Sequence, residues 1–455
     1  MRSHNFGQVE PAVVAVLATF ETRNVFMTVV SKESIDTVSF IASRIKVKES
    51  ARSVLVNMLI LRSRSMNNLL DAAWPENKEA AMKGADNVLN YKKNALVDLT
   101  QVVRFSIKVV LHKLYQCFSV ERPLKEEVIR SWSHTTLKYY CEEVKSSTIL
   151  VYPFTGNPLR GIFYLIHLKR NKYDARLAYL PYHFSDVLKL WLNVRKRDVL
   201  LAEFEFDAFY RHAKELLDEG IAKIYSTDEF EVASHILHAE LMNSGVVSIN
   251  KCHGLSLYGP YVAATKFYVL NESQKHYYSL RGKVSEFIVE LPRPCDKPLV
   301  VRNGAFVVVY MAGNWSRRKA KSEYKLQTRV IQSLGGLAGD SDIEVFVKPH
   351  PDWGLIEKLS VFRAKKVALL NNIEEVAGKT IVFVNIASGS FFDYRNWGVT
   401  LFVEEENIKP SELFGDEYNI CSVETLHERI IRLKDSHKYK IALDTQLGSI
   451  QSQAI

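Results

Sequence analysis

The 455-residue sequence has few cysteines and no long apolar run. Its five cysteines are scattered and form no CxxC pair, which argues against a disulfide framework or a cysteine zinc site and favours a reducing cytosol. No run of about 18 apolar residues occurs, so no transmembrane helix is predicted. The apolar stretch 12–19 is brief and lacks the flanks of a signal peptide. We therefore expect a cytoplasmic protein whose membrane contact, if any, is peripheral and on the inner membrane.

Internal repeats and low-complexity segments are also absent, which excludes solenoids and biased tails. The hydrophobic content of 47% and the aromatic content of 11% are those of a folded globular protein. The length suggests two or three domains. The formal charge of +9 and the pI near 9.0 fit an anionic ligand, the negative surface of an inner membrane, or nucleic acid.

Residues 1–145 have the pattern of a helical accessory region, because apolar residues recur in it at three- and four-residue spacing. The predicted elements are a strand pair at 12–19 and 24–30 and helices at 53–70, 79–97 and 99–116. No chemical motif is visible here. Membrane docking, acceptor binding and dimerisation are all compatible with such a region.

From residue 146 the pattern changes to alternating strands and helices, which is typical of a parallel sheet covered by helices. The first unit, 146–290, has predicted strands at 148–153, 174–180, 199–206, 221–226, 246–250 and 268–271. A linker with three prolines follows at 290–298. The second unit, 300–435, has predicted strands at 306–311, 343–347, 367–370, 380–386 and 399–403, and a tail follows at 436–455. The sequence thus predicts an α/β protein with two Rossmann-like domains and a mostly helical N-terminal region.

The most informative motif is Lys348-Pro349-His350-Pro351, directly after the apolar run 343–347. Parallel strands end at one edge of a sheet, the carboxyl edge, where the ligands of open α/β sheets bind. Lys348 brings a cation to that edge. The prolines fix the direction of His350, whose imidazole can bind a phosphate oxygen or stabilise a leaving group. We predict that Lys348 and His350 bind a nucleotide phosphate; the alternative is a kinked loop with a surface histidine.

A second motif, Ser388-Gly389-Ser390, follows the apolar run 380–386 and opens a predicted helix, 391–397. Free N–H groups and the dipole at a helix start favour a phosphate, so these three residues are predicted to hold one. Serine and glycine also begin many helices that bind nothing.

Two further elements of the second unit are candidates for donor binding. Asp393, one turn into the predicted helix, could reach a ribose hydroxyl or be an exposed helical residue. Gly313 and Asn314 belong to the turn directly after the strand 306–311 and are predicted to bind the donor's phosphates. The basic run 317–321 after them is more typical of a solvated face.

Candidates for a general base lie in the first unit. His253 follows the strand 246–250 and would stand at that sheet's carboxyl edge, where an imidazole can deprotonate an acceptor hydroxyl. The alternative is a loop histidine bonded to a backbone carbonyl. Glu205 and Asp207, at the end of the predicted strand 199–206, are competing carboxylates.

The acidic pair Asp218-Glu219 before Gly220 is another candidate base. It follows a predicted helix at 209–217, where glycine is an ordinary C-terminal cap, so the capping interpretation is favoured.

A His-Gly after a strand, a Lys-Pro-His-Pro in the second unit and serines that open a following helix together resemble a set of bacterial GT-B enzymes. These are the capsule and surface-polysaccharide transferases: polysialyltransferases, capsule Kdo transferases and the CDP-glycerol glycerophosphotransferases of teichoic acid. The resemblance covers roughly residues 148–430. It implies an active site in the cleft between two Rossmann-like domains, and CMP-sugars or CDP-glycerol as donors.

By this resemblance, His350 binds the donor phosphate or assists the leaving group, and Ser388 and Ser390 hold the phosphate. His253 matches the base implied for the glycerophosphotransferases, and Asp218-Glu219-Gly220 matches in letters the acidic pair of the polysialyltransferases. Gly389 separates serines that are often adjacent in the family. Residues 1–145 have no counterpart that we can place.

The preferred interpretation is an inverting, metal-independent glycosyltransferase that moves a sugar from a nucleotide-activated, CMP-linked donor to a bacterial surface glycan or lipid-linked glycan. No cofactor beyond the nucleotide-sugar co-substrate is expected, and no metal, because no Asp-x-Asp follows a strand. A polyol-phosphate transferase and a nucleotide-sugar epimerase stay open on the same scaffold. The alternative of a different class is a basic nucleic-acid-binding or scaffold protein, although the basic residues are spread throughout the chain. Homo-oligomerisation stays open.

Overall fold

The protein is described from a computed structural model. It describes residues 35–36, 39, 42–43, 47–66, 95–119, 123–132, 134–153, 158–193, 197–252, 259–290, 305–313, 321–340, 343–350, 366–386, 390–405 and 419–453. The predicted strand pair at 12–19 and 24–30, and nearly all of the predicted helix 79–97, lie outside these ranges.

Two separate parallel sheets organise the chain. The first has seven strands in the order β3-β2-β1-β4-β5-β6-β7. They are β1 Glu127–Ser131, β2 Thr148–Val151, β3 Ala175–Leu177, β4 Lys223–Ser226, β5 Val247–Lys251, β6 Ala263–Val269 and β7 Lys283–Val289. All their pairings are parallel. This sheet and the helices packed on it are called the first domain.

The second sheet has six parallel strands in the order β10-β9-β8-β11-β12-β13. They are β8 Phe306–Met311, β9 Glu344–Lys348, β10 Val367–Leu369, β11 Thr380–Asn385, β12 Val399–Val403 and β13 Asn419–Cys421. This sheet and its helices are called the second domain. Both sheets have the doubly wound order of a Rossmann fold, which confirms the predicted fold class, α/β with two Rossmann-like domains.

Helices cover both sheets. Those of the first domain are α1 Arg52–Met66, α2 Ala95–Phe118, α3 His134–Tyr139, α4 Pro158–Arg170, α5 Phe184–Leu192, α6 Arg197–Asp218, α7 Ser234–Asn243 and α8 Glu272–Ser279. Those of the second domain are α9 Lys321–Asp340, α10 Ser390–Tyr394, α11 Leu426–Arg432 and α12 Ser436–Gln453. None of the helices described is long and apolar enough to cross a membrane.

Apolar layers pack on both faces of each sheet, as expected for buried parallel strands. The largest cluster also links the domains. Phe391 and Phe392 of α10 and Phe402 of β12 belong to the same buried cluster as the first-domain helices α1, α2 and α6. The domains are therefore held together by buried aromatic side chains.

The predicted strand 199–206 is wrong, because these residues form the first part of α6. The alternation in Ala202-Glu203-Phe204-Glu205 imitates a strand over a short window. Over 22 residues the helical period prevails, because Leu201, Phe204, Ala208 and later apolar residues are buried at three- and four-residue spacing.

Three strands were missed by the sequence prediction: β1, β7 and β13. β1 lies within the region 1–145 that was expected to be helical, so the first sheet begins before residue 146. Its sequence, Glu-Val-Ile-Arg-Ser, is short and includes a charged residue that is fully buried in the fold.

Candidate functional site

The doubly wound order places a crevice in each sheet at the carboxyl edge, where the connections leave in opposite directions. In the first sheet this point lies between β1 and β4, and in the second between β8 and β11. In the first crevice the charged side chains pair with each other. In the second they lie at the strand ends, so the second crevice is the candidate site.

The crevice of the first sheet is filled by a buried ion pair. Arg130, at the end of β1, pairs with Asp228, just beyond β4, and both side chains are fully buried. The guanidinium carbon lies 4.6 Å from the ring centre of Tyr152 and 5.1 Å from that of Phe209. An arginine held between aromatic faces and a carboxylate is part of the domain core at this point.

His238 continues this buried network. Its Nε2–H donates to Asp228 Oδ1 at 3.1 Å, and its Nδ1 accepts from Ser248 Oγ at 2.8 Å. Burial, reinforced by Arg130, lowers the pKa of His238 to about 3, so the imidazole is neutral at pH 7. The Asp228 carboxylate is thus bonded to Arg130 and His238, and its role is structural.

At the switch point of the second sheet the strand ends bring Met311, Lys348 and Asn385 to one level. Asn385, the last residue of β11, is level with Met311, the last residue of β8, and Met311 is level with Lys348. The backbone N–H of Ala312 donates to the Lys348 carbonyl at 3.1 Å, and Gly313 follows. Gly313 and Lys348 therefore lie together at this edge, as the sequence predicted.

A small buried gap lies between the second sheet and α10 beside this switch point. It is lined by Met311, Phe383, Asn385, Ser390, Phe391, Tyr394 and Thr400. Ser390 thus lies at the predicted edge, while Ser388, Gly389 and Asn314 lie outside the described residues. The helix that the serines open is shorter than predicted: α10 has only five residues, so its dipole contributes little.

Lys348, the last residue of β9, is partly desolvated. Its Nζ lies 5.9 Å from the centre of the Tyr394 ring. Burial lowers the pKa of Lys348; Asp393 nearby opposes the shift and Lys138 adds to it. An anion bound here would stabilise the ammonium form. His350 lies two residues beyond β9 and is half-buried.

Asp393 joins the two domains. Its carboxylate pairs with Lys138 of α3 in the first domain. The adjacent Tyr139 is half-buried, and this burial, with Asp393, Glu229 and Cys252 nearby, raises the pKa of its phenol. The phenol stays protonated at neutral pH. Tyr139 thus lies among groups from both domains.

The carboxyl edge of the first sheet supplies groups to the same region. Glu229, 3% exposed, follows Asp228 beyond β4. Cys252, 1% exposed, follows β5, whose Asn250 is level with Ser226 of β4. His253 itself lies outside the described residues. Sequence analysis missed Glu229, although an acidic pair after an apolar strand was the available signal.

Glu205 and Asp207 do not end a strand; they lie within α6. Glu205 is buried and accepts from Lys108 Nζ at 2.9 Å and from the Tyr182 hydroxyl at 2.6 Å. Asp207 lies 3.7 Å from Lys48 Nζ with 42% of its side chain exposed. The Glu205 carboxylate is therefore bonded within the domain core, and the Asp207 carboxylate belongs to an ion pair on the surface.

The pair Asp218-Glu219 is at the wrong end of the sheet for ligand binding, because it lies between α6 and β4 at the amino edge. Gly220 has φ +77°. Its N–H bonds the Leu217 carbonyl at 2.9 Å, and the next N–H, of Ile221, bonds the Leu216 carbonyl at 3.4 Å. This is a Schellman cap, so the capping interpretation is confirmed.

In the described ranges, no group of three His, Cys, Asp or Glu side chains is placed to hold a metal ion. Metal independence stays a prediction.

Comparisons with known proteins give fold likeness only. No family model matches the chain, and no curated protein matches it. Among solved structures it is similar to an α,α-trehalose-phosphate synthase (UDP-forming) from Burkholderia vietnamiensis, with 8% identity, TM-score 0.44, and 72% of this chain and 94% of that chain covered. It is similar to S. aureus MnaA in a UDP co-structure, with 10% identity, TM-score 0.42, and 72% and 91% covered. It is also similar to an O-GlcNAc transferase from Thermobaculum terrenum, with 10% identity and a TM-score of 0.37; 90% of this chain and 81% of that chain are covered. These identities and TM-scores assign no activity.

Proposed function

We propose that this chain is a glycosyltransferase that binds a nucleotide-activated sugar at the carboxyl edge of the second sheet and an acceptor on the facing edge of the first. The observation that carries the proposal is the cluster of Lys348, Lys138 and Asp393, which lies at the carboxyl edge of the second sheet and joins the two domains. A ligand in that position would contact both Rossmann-like domains at once.

The charge of this cluster favours an anion. Two ammonium groups share one carboxylate, and Asp393 is already paired with Lys138. Lys348 has lost part of its hydration to burial, and a phosphate would replace it with a direct ion pair. Gly313, without a side chain, allows close approach of a ligand to the backbone, and Ser390 begins α10 on the same side of the sheet. His350 would add a donor to the leaving phosphate.

The proposed reaction is an inverting transfer. A base on the first domain takes the proton of the acceptor hydroxyl, the hydroxyl oxygen bonds to the anomeric carbon, and the bond to the nucleotide phosphate breaks. Lys348 and His350 neutralise the charge on the departing phosphate, the role that a metal has in other transferases. His253 is the proposed base, with Glu229 as a buried carboxylate on the same edge. A CMP-linked donor and a bacterial surface glycan acceptor are proposed from the sequence resemblance.

A nucleotide screen by thermal shift tests the donor site. The full chain is melted with CMP, CDP, UMP, UDP, GDP and ADP. A nucleotide present at about 100 times its Kd adds about 2.7 kcal/mol, which raises the Tm by several degrees. We expect a response to a cytidine nucleotide. Lys348→Met should weaken this binding by about 10- to 100-fold, because it removes a charge-assisted contact to phosphate.

Lys379→Met is the matched control. Lys379 Nζ also lies 5.9 Å from an aromatic ring, that of Phe346, and it pairs with Glu344 at 2.7 Å, but at the amino end of the same sheet. A uridine or guanosine response would keep the site and change the donor class. A response that survives Lys348→Met, or no response to any nucleotide, would contradict the proposal. Release of glycerol phosphate to an acceptor from CDP-glycerol would identify a polyol-phosphate transferase instead.

A further inference from the structure

Three helices of the first domain carry an unusual share of the exposed apolar surface. Of the sixteen large apolar side chains that are exposed in the described part of the chain, thirteen lie on α2, α4 and α5. Phe163 on α4 is 65% exposed, and Leu192 on α5 is 73% exposed. These exposed apolar residues are called the apolar face. Scattered apolar residues are ordinary on a surface, but a concentration of this kind marks an interaction site.

α2 is apolar on two opposite sides. Val102, Phe105 and Val109 are buried in the domain core. Val103, Ile107, Val110 and Leu114 repeat at four- and three-residue spacing and are 40–48% exposed. The buried stripe already satisfies the packing of the helix, so the second stripe is not needed for folding.

The three helices adjoin one another. Trp191 Nε1 of α5 donates to Ser106 Oγ of α2 at 3.4 Å. On the other side, α2 and α4 touch where Tyr115 meets Gly161, since a β-carbon on that glycine would lie 2.1 Å from the Tyr115 hydroxyl. The helix α2 therefore lies between α5 and α4, and the exposed apolar residues are on three neighbouring helices.

Basic residues border the apolar face and acidic ones are nearly absent from it. From Gln101 to the end of α2, and throughout α4 and α5, the one acidic residue is Asp186. It is 5% exposed and accepts from the His183 N–H at 3.1 Å. The exposed cations on the same three helices are Arg104, Arg160, Lys169, Arg170 and Lys189.

We propose that the apolar face is a docking surface for an anionic lipid bilayer, in which α2, α4 and α5 lie on the membrane with their aromatic and aliphatic side chains between the headgroups. Amphipathic helices with aromatic residues on one side and lysine and arginine at its border bind such interfaces. The negative lipid surface complements the border cations. This inference is independent of the donor site and stands or fails without it.

Flotation of the full chain with lipid vesicles tests this inference. Vesicles of phosphatidylglycerol and phosphatidylcholine are compared with vesicles of phosphatidylcholine alone. We expect flotation with the anionic vesicles that weakens as salt is raised. The pair Phe163→Ser and Leu192→Ser should lower the partition coefficient by about tenfold for each side chain that leaves the bilayer. Lys169→Glu with Arg170→Glu should lower it by at least about fivefold for each residue.

Ile431→Ser with Ile441→Ser is the matched control, because these side chains are 45% and 53% exposed on the second domain, away from the apolar face. It should float as the unmodified protein does. Melting curves verify that each variant is folded, as expected for exposed positions. The proposal is overturned if the full chain does not float with anionic vesicles, or if both serine pairs float equally. Light scattering gives a further outcome that overturns it. If the unmodified chain is an oligomer that binds no vesicles, and the Phe163→Ser, Leu192→Ser variant is a monomer, then a second copy of the chain covers the apolar face.

Discussion

Acid should unfold the first domain before the second. Four histidines of the first domain, His112, His212, His235 and His238, are buried. The pKa of each is lowered, with burial as the main cause. His112 also accepts the Leu180 N–H at its Nδ1, at 2.7 Å, which a protonated ring could not do. The native domain therefore holds these rings in the neutral form.

The magnitude follows from the two histidines with the best-defined shifts. The pKa values of His235 and His238 are lowered to about 3, against about 6.5 in an unfolded chain. Below pH 6.5 the unfolded chain binds protons that the native domain cannot, so stability is fully present above 6.5 and is lost as the pH falls toward 3. At about 1.4 kcal/mol per pH unit, each histidine costs about 2 kcal/mol at pH 5. The pair costs about 4 kcal/mol, a large part of a typical 5–15 kcal/mol.

Two buried cysteines allow each domain to be followed separately. Cys252 is 1% exposed in the first domain, and Cys421 is 6% exposed in the second. Urea titrations at pH 7.5 and 5.0, with labelling by 4,4′-dithiodipyridine and peptide mass spectrometry, give one unfolding curve for each thiol. We expect the Cys252 curve to lose about 4 kcal/mol or more at pH 5, and the Cys421 curve to lose much less.

Histidine variants separate this cause from general acid effects. His238→Gln should reduce the loss at Cys252 by about 2 kcal/mol, because it removes one titrating ring. His427→Gln is the control in the second domain, where the His427 Nε2 lies 2.6 Å from the Ser333 carbonyl oxygen. The reasoning is refuted if both thiols lose the same stability, or if His238→Gln leaves the pH dependence of Cys252 unchanged.

Two further predictions concern stability. Arg130→Met should lower the free energy of unfolding of the first domain by about 3–5 kcal/mol in urea, because it leaves the Asp228 carboxylate buried without its cation. Lys223→Met is the surface control. A loss under about 1 kcal/mol for Arg130→Met would contradict this prediction. Gly398→Ala should destabilise the second domain by about 1–3 kcal/mol, since its β-carbon would lie 2.2 Å from the Ile381 carbonyl oxygen; Gly448→Ala, with nothing within 4 Å, should show no such loss.

The second domain was predictable from the sequence because its central strands β8, β11 and β12 are short, almost wholly buried apolar runs. The strand β8 was predicted with the observed bounds, and β9 and β11 within one residue. Their carboxyl ends then follow from the parallel order, so Lys348 and Gly313 could be placed on one edge. β13 could not be found in this way, since it is only three residues long.

The first domain was less predictable because its important contacts depend on pairing between distant segments. Arg130 and Asp228 meet only because β1 lies beside β4 in the sheet, and a single sequence does not indicate this pairing. An isolated arginine in a short apolar run argues against a strand unless its partner is known. The roles assigned to Glu205 failed for the same reason, since Lys108 and Tyr182 reach it from other helices.

The phenylalanines of α10 have a consequence for the movement of the two domains. Phe391 and Phe392 are 2% and 5% exposed within the cluster shared by the two domains. Parting the domains would transfer both rings to water, at about 1.5–3 kcal/mol each. At about 4 kcal/mol in total, fewer than one molecule in several hundred would be open at any moment. In the proposed transferase, a step that needs the domains apart would depend on this rare state, and the rate of opening would set an upper limit on turnover.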